Sequence, residues 1–268
     1  MTLEHEIIIQ EVLRIRTDLP RLGGRKLLHM LQGFLKQHQI KIGRDQLFNL
    51  LREYNLLVKK RKRKVYTTDS KHRFRKYPNR IRELELIRPE QLWVCDITYI
   101  STKEGFCYLS LITDAYSKKI VGYSLERTLA AEGCVAALKM ALETLKRPIA
   151  KLIHHSDRGS QYCCNDYVQL LEQNLIEISM TEDGHPYENP IAERINGILK
   201  DELNLAQAFI NFFQAASIIQ ESIKLYNEIR PHASCDYLTP EQAHLREGKL
   251  NKRWTNYYQK NKSNQANV

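Results

Sequence analysis

The run Trp93-Val94-Cys95-Asp96-Ile97-Thr98-Tyr99-Ile100 is rich in β-branched and aromatic residues and carries one charge near its middle. That composition predicts a strand. Strand side chains alternate between two faces, so Val94 and Thr98 share the side of Asp96, while Trp93, Cys95, Ile97 and Tyr99 take the other. A lone carboxylate in such a strand costs free energy unless it is paired or bound to a metal. Asp96 is therefore the first candidate functional residue.

The segments downstream of this run extend the pattern. Phe106 to Thr113 and Ile120 to Ser124 read as further strands, with a turn at Tyr116-Ser117-Lys118-Lys119, which predicts an antiparallel meander. Residues 130–145 read as a helix through Val135, Leu138, Met140, Ala141 and Leu145. A strand at Lys151 to His155, a helix over 160–173 and a strand at Ile176 to Met180 follow. This order gives a mixed five-stranded sheet flanked by helices, an α/β architecture. Asn189-Pro190 suits the start of a helix, with Asn as N-cap and Pro at the first position. That helix is expected to run to about Leu203, and another to cover about 209–228, before Arg230-Pro231.

The region before the first strand differs in kind. Residues 5–54 read as helices, with Leu27, Leu28, Leu31, Phe34 and Leu35, then Leu47, Leu50 and Leu51, at helical spacing. Two short helices joined at Ile40-Lys41-Ile42-Gly43 are compatible with a helix-turn-helix, as they are with many helical hairpins that bind nothing. Val58 to Arg80 then holds eleven Lys or Arg and one Asp, so this segment carries a net charge equal to the +10 of the whole chain. Lys59, Lys60, Arg61, Lys62, Arg63 and Lys64 are consecutive. A concentrated basic block is the footprint of a polyanion, and nucleic acid is the expected partner. A solvated charged linker or a targeting signal is the competing reading. The implied organisation is a helical, helix-turn-helix-like region at 1–57, a basic linker at 58–87, an α/β region with C-terminal helices at 88–250 and a polar tail at 251–268.

No stretch approaches the roughly 20 apolar residues of a membrane span, and the N-terminus lacks the pattern of a secretory leader. Six cysteines, at 95, 107, 134, 163, 164 and 235, form no C-x-x-C pair and read as buried reduced thiols of a cytoplasmic protein. His154 and His155 lie near Cys163 and Cys164, but the spacing fits no common zinc finger.

Two further carboxylates join Asp96. Asp157 falls just past the strand ending His154-His155, and Glu193 lies early in the helix opened by Asn189. Each has an ordinary alternative, Asp157 as a cap on the next helix and Glu193 as a favourable charge on a helix N-terminus. Oxygen-only clusters suit Mg²⁺ or Mn²⁺. Two such ions about 4 Å apart can clamp both oxygens of an in-line phosphoryl displacement.

Trp93 to Ile100, His155-Ser-Asp-Arg-Gly-Ser-Gln-Tyr162 and Glu188-Asn-Pro-Ile-Ala-Glu-Arg194 together resemble the three catalytic blocks of insertion-sequence transposases, specifically the OrfB product of insertion-sequence family three. The 35 residues between Asp157 and Glu193 equal the spacing that names the DD(35)E class. Lys200, seven residues after Glu193, resembles that family's DNA-contacting lysine, and Tyr226-Asn-Glu-Ile-Arg-Pro-His232 its C-terminal signature. The resemblance covers roughly residues 20–245. It implies an RNase H-like fold preceded by a helix-turn-helix, a catalytic triad of Asp96, Asp157 and Glu193 holding two Mg²⁺ ions (or Mn²⁺), and DNA strand cleavage and transfer at element ends. It further implies a homo-oligomer on DNA and an OrfA product or frameshift fusion as partner. The sequence departs from the family at Glu182-Asp-Gly-His-Pro-Tyr-Glu188, where Asp183 and Glu188 add negative charge. The His-His-Cys-Cys module of retroviral integrases is absent, since no cysteine precedes Cys95.

Around the triad, Arg158 and Gln161 are candidates to orient phosphate or the loop, and His155 and Asn189 to support the carboxylates from behind. A nuclease of the same fold without strand transfer, or a catalytically silent DNA-binding modulator, would use many of the same features.

Overall fold

The computed structural model describes residues 3–58, 73–145, 151–182, 189–251 and 253. Its centre is strand β1 (Leu92–Thr102), flanked on one side by β2 (Gly105–Asp114) and β3 (Ile120–Glu126), and on the other by β4 (Ile153–Ser156) and β5 (Glu177–Met180), in the order β3-β2-β1-β4-β5. The β1–β2 and β2–β3 pairs are antiparallel, as short turns allow; β4 runs parallel to β1, and β5 to β4. A parallel pair needs a long crossover. Helix α4 (Ala131–Thr144) supplies it between β3 and β4.

The expected five-stranded mixed sheet is therefore present, and β1 is three residues longer than its decisive run. The helix expected over 160–173 is two, α5 (Ser160–Cys163) and α6 (Asn165–Gln173), because Cys164 adopts an extended conformation (φ −66°, ψ 153°) that redirects the chain. Helix α7 (Pro190–Glu202) matches its prediction. Helix α8 (Phe212–Glu228) starts three residues later than predicted, since the backbone of Phe209 is taken by Ser101 and Lys103 at the tip of the β1–β2 hairpin and Asn211 caps the helix. A 3₁₀ turn (Ala233–Cys235) and a short helix α9 (Pro240–Ala243) complete this part.

The N-terminal region forms three helices, α1 (Leu3–Asp18), α2 (Gly24–Gln37) and α3 (Arg44–Glu53). Their buried leucines and isoleucines belong to the same apolar cluster as Ile195, Leu199 and Ile219 of α7 and α8 and Ile100 and Leu109 of the sheet. The opposite sheet face packs Trp93, Cys95 and Ile112 against Ala137 and Leu138 of α4 and Tyr167 and Leu171 of α6. The linker residues Tyr77, Ile81, Leu84 and Leu86 also lie against the core. Lys59 to Lys64, Asp183, Glu188 and most of the tail fall outside the described residues. Among the described residues no helix is long and apolar enough to cross a membrane.

One partly buried ion cluster joins the helical region to the core. Arg230, with no solvent exposure, donates from Nε and Nη2 to Glu202 of α7 at 2.9 Å each, and Lys26 of α2 reaches the same carboxylate at 3.0 Å. Burial is the leading influence on the Lys26 ammonium and, with Arg230 nearby, pulls it down to about 8. Arg230 is therefore the main counter-charge of Glu202. Arg230→Met is expected to cost about 3–5 kcal/mol in denaturant unfolding, because it strips that bidentate partner, and Lys26→Met distinctly less.

Gly122 of β3 lies so close to α4 that an added Cβ would stand 2.1 Å from the Ala137 carbonyl oxygen and 2.9 Å from Ala141 Cβ. Gly122→Ala forces strand and helix apart, and a loss of at least about 1–3 kcal/mol is expected in the same measurement.

Candidate active site

The parallel register of β1 and β4 pairs Trp93 with His154 and Val94 with His155. Continued two residues, it sets Asp96 abreast of Asp157, just beyond the end of β4. Functional groups gather at such strand ends because the backbone there is free of ladder bonds and opens to a crevice. Glu193 comes from the first turn of α7, which crosses the Asp96 face of the sheet.

Asp96 is half-buried. Its Oδ1 accepts from the Ile97 N–H at 2.9 Å and its Oδ2 from Asn196 Nδ2 at 2.7 Å. Loss of hydration, then the charge of Asp157 and more weakly that of Glu193, raise its carboxyl to about 7, while those two hydrogen bonds pull it back. A neighbouring carboxylate that raises the proton affinity of Asp96 is a repulsion that a bound cation would relieve. Among the described residues no three His, Cys, Asp or Glu side chains are drawn together tightly enough to hold a metal by themselves. The fit therefore rests on the oxygen-only donors Asp96 and Asp157, with Glu193 approaching from α7.

Asp157 lies two residues before Gly159, the residue at the N-terminus of α5. Its Oδ1 accepts from the Gly159 N–H at 2.9 Å and shapes the turn that leads into that helix. Asn189 stands at the N-terminus of α7, yet its side chain makes no cap bond there: Nδ2 donates to the Cys95 carbonyl at 2.8 Å. The expected capping role is replaced by a tie to the strand residue beside Asp96. Asn196 stands three residues after Glu193 on a nearby helix face, and the sequence assigned it no role. Its signal was only its place one turn after Glu193; the contact to Asp96 spans 100 residues.

Lys200, half-buried one further turn along α7, lies close enough to Asp96 for their charges to interact. Burial lowers its ammonium, and Asp96 acts in the opposite sense. Gln161 Nε2 donates to the Leu129 carbonyl at 2.9 Å, which ties α5 to the segment before α4. Arg158 is half-exposed beside Asp157. His155 is buried, with Nδ1 2.9 Å from Ser179 Oγ on β5.

Beneath the carboxylates lies a neutral polar layer. His154 Nε2 stands 2.8 Å from both Cys95 Sγ and the Tyr167 hydroxyl, and burial drives the imidazole down to about 3. Burial likewise raises the Cys95 thiol. His154 thus pairs with Cys95 rather than with Cys163 or Cys164, and it offers the carboxylates no positive charge.

The Integrase core domain family matches residues 87–186, and a second family of the same description matches residues 174–240. The uncharacterized 31 kDa protein of insertion element IS600 from Shigella sonnei is 39% identical over 212 residues, covering 78% of each chain. The transposase InsF of insertion sequence IS3A from Escherichia coli K12 is 37% identical over 155 residues, 58% of this chain and 54% of InsF, so the match spans about half of that relative. Among solved structures, the simian T-cell lymphotropic virus intasome in complex with PP2A regulatory subunit B56 gamma is 18% identical with a TM-score of 0.51, over 88% of this chain and 76% of that one, a likeness of fold.

The Asn196 bond generates a test. Asn196→Leu keeps the bulk of the side chain on α7 and removes the donor to Asp96. Supporting hydrogen bonds of this kind are worth about 10–100-fold in metal affinity, so Mn²⁺ binding measured by calorimetry should weaken by that factor while the melting temperature stays near that of the parent.

Proposed function

The chain belongs to the insertion-sequence transposases that carry an integrase core, and on that premise we propose that it cleaves and joins DNA strands by metal-dependent phosphoryl transfer at Asp96, Asp157 and Glu193. The observation that carries this reading is the β1–β4 register, which sets Asp96 and Asp157 side by side under α7, the helix that bears Glu193, Asn196 and Lys200. Oxygen donors of this kind suit Mg²⁺, with Mn²⁺ as a substitute, and two ions would supply charge neutralisation and a more acidic nucleophile.

The chain's own groups have separate tasks. Asp96 and Asp157 are the shared carboxylate platform. Asn196 and the Ile97 N–H hold Asp96 in one orientation, so that it is not free to turn away. Lys200 places a positive charge on the same helix, where it attracts a DNA phosphate, and Arg158 does so beside Asp157. In cleavage, a water oxygen attacks the scissile phosphorus as the bond to the 3′-oxygen breaks, leaving a 3′-hydroxyl on the element end. In joining, that hydroxyl attacks a phosphodiester of the target, and the displaced 3′-oxygen leaves. His154 is neutral and buried on the far side of β1 and is not a candidate base.

The partners that go with this reading are the element ends and target DNA, further copies of this chain assembled on them, and an OrfA product or frameshift fusion. The consecutive basic residues Lys59 to Lys64 are proposed to hold DNA phosphates, and the place of action is the bacterial cytoplasm, at the nucleoid.

Product analysis tests the proposal. With Mg²⁺ and a duplex carrying the terminal repeats that flank its gene, the chain, with its OrfA partner where required, should yield both nicked and joined strands. Asp96→Ala or Asp157→Ala should abolish both products and leave DNA binding intact. Hydrolysed ends with no joined strand would mean a nuclease, and joining by Asp96→Ala would remove the assignment.

A further inference from the structure

The parallel ladders set side chains in rows across the sheet. One row holds Val94, His155 and Ser179. Two residues further along each strand, the next row holds Asp96, Asp157 and Thr181. The ladder reaches that far, because the Thr181 N–H donates to the Ser156 carbonyl at 3.0 Å. Residues two apart on a strand share a face. Ser179 Oγ meets His155 Nδ1 at 2.9 Å, so those two side chains lie on one face, and Thr181 and Asp157 lie on it with them.

The two hydroxyls of these rows are used differently. Ser179 Oγ also accepts from the Arg80 N–H at 2.9 Å, so its hydroxyl is engaged on both sides. Thr181 is 3% exposed, and among the described residues its Oγ1 is buried without a hydrogen-bond partner. A buried hydroxyl left in that state costs free energy. The strand does not require it, because Val has the same shape and the same strand preference. Asn189 Oδ1 and Asn196 Oδ1 are orphans of the same kind, and their amide nitrogens are held by the Cys95 carbonyl and by Asp96. Orphan oxygens thus stand on both sides of the carboxylate pair, two on α7 and one beyond Asp157. Adjacent strands lie about 4.8 Å apart, which sets Thr181 one spacing from Asp157 and about 10 Å from Asp96. From there the hydroxyl is too distant to share a cation with both carboxylates, but it reaches an oxygen on the Asp157 side. A hydroxyl can donate and accept, so it suits a water or a phosphate oxygen.

We propose that Thr181 is a further residue of the site, whose hydroxyl bonds to an oxygen of what is held at Asp157, either a water of the cation's shell or a phosphate oxygen of the bound DNA strand. The inference rests on the reading of Asp96 and Asp157 as a cation platform, and it extends that platform by one strand. It also gives β5 a part in the site, since β5 otherwise contributes only Ser179 beneath His155. Among the described residues no three His, Cys, Asp or Glu side chains close a metal site by themselves, so further oxygen contacts have to come from other residue types. Thr181 supplies one from the strand side, opposite the asparagines of α7.

Thr181→Val and Thr181→Ser in the full chain test this. The first keeps the shape and removes the hydroxyl; the second keeps the hydroxyl. Without metal, the melting temperature of Thr181→Val should stay level or rise, because an orphan group is gone. Mn²⁺ is then titrated by calorimetry into the chain alone, and binding of a duplex carrying the terminal repeats is measured with and without Mn²⁺. If the oxygen belongs to water, Thr181→Val weakens Mn²⁺ binding to the chain alone on the order of tenfold. If it belongs to phosphate, that binding is unchanged, and the duplex binds about tenfold more weakly with Mn²⁺ but equally well without it. Thr181→Ser should stay near the parent in both arms. Unchanged affinities in Thr181→Val would overturn the proposal, as would a Thr181→Ser variant as weak as Thr181→Val. A melting temperature lowered by Thr181→Val and restored by Thr181→Ser would make the hydroxyl structural and overturn it too. Wild-type chain that takes up no Mn²⁺ through Asp157, with Asp157→Ala as the control, would remove the cation platform and this proposal together. Normal wild-type uptake with an unaffected Thr181→Val removes this proposal alone.

Discussion

The parallel pairing of β1 with β4 sets two negative charges side by side at the middle of the sheet, and much of the surrounding structure offsets that arrangement. Asp96 cannot move away, because β1 is pinned by β2 along its whole length and by β4 at its start. Its stabilisation comes across the sheet face from α7. That helix reaches β1 through two asparagines, Asn189 to the Cys95 carbonyl and Asn196 to the Asp96 carboxylate. Among the described residues the side-chain oxygens of both asparagines are buried without a hydrogen-bond partner. Such orphan acceptors cost free energy.

The C-terminal signature from Tyr226 to His232 fastens neighbouring elements together. Tyr226 donates its hydroxyl to the Lys118 carbonyl. Asn227 accepts from the Ile120 N–H and donates to the Ile120 carbonyl, and Arg230 grips Glu202. These residues clamp the β2–β3 turn and the end of α7 to α8. The same Glu202 receives Lys26 from the helical region. One half-buried carboxylate thus ties three parts of the chain, and it lies on the helix that carries Glu193.

Much of this was legible in the sequence. The alternation around Asp96 exposed the central strand and the misplaced charge, and the element order gave the sheet. The 35-residue spacing and the flanking motifs singled out Asp157 and Glu193, which alternation alone did not. Boundaries were less legible, because backbone competition sets them: Phe209 pairs with the β1–β2 hairpin and delays α8, and Cys164 breaks the predicted helix. Asn189 carried a good capping signal and is used otherwise, since the carbonyl it meets lies 94 residues away. Asn196 and the pair of His154 and Cys95 are likewise contacts between distant segments that no local pattern encodes.

The central claim is that Asp96 and Asp157 form one cation-binding platform. Anomalous scattering from crystals of the full chain grown with Mn²⁺ addresses it most directly. The account predicts a manganese peak in contact with carboxylate oxygens of both Asp96 and Asp157, lost in Asp157→Ala. Saturating Mn²⁺ with both carboxylates still unligated, or a peak held by other residues, would contradict it.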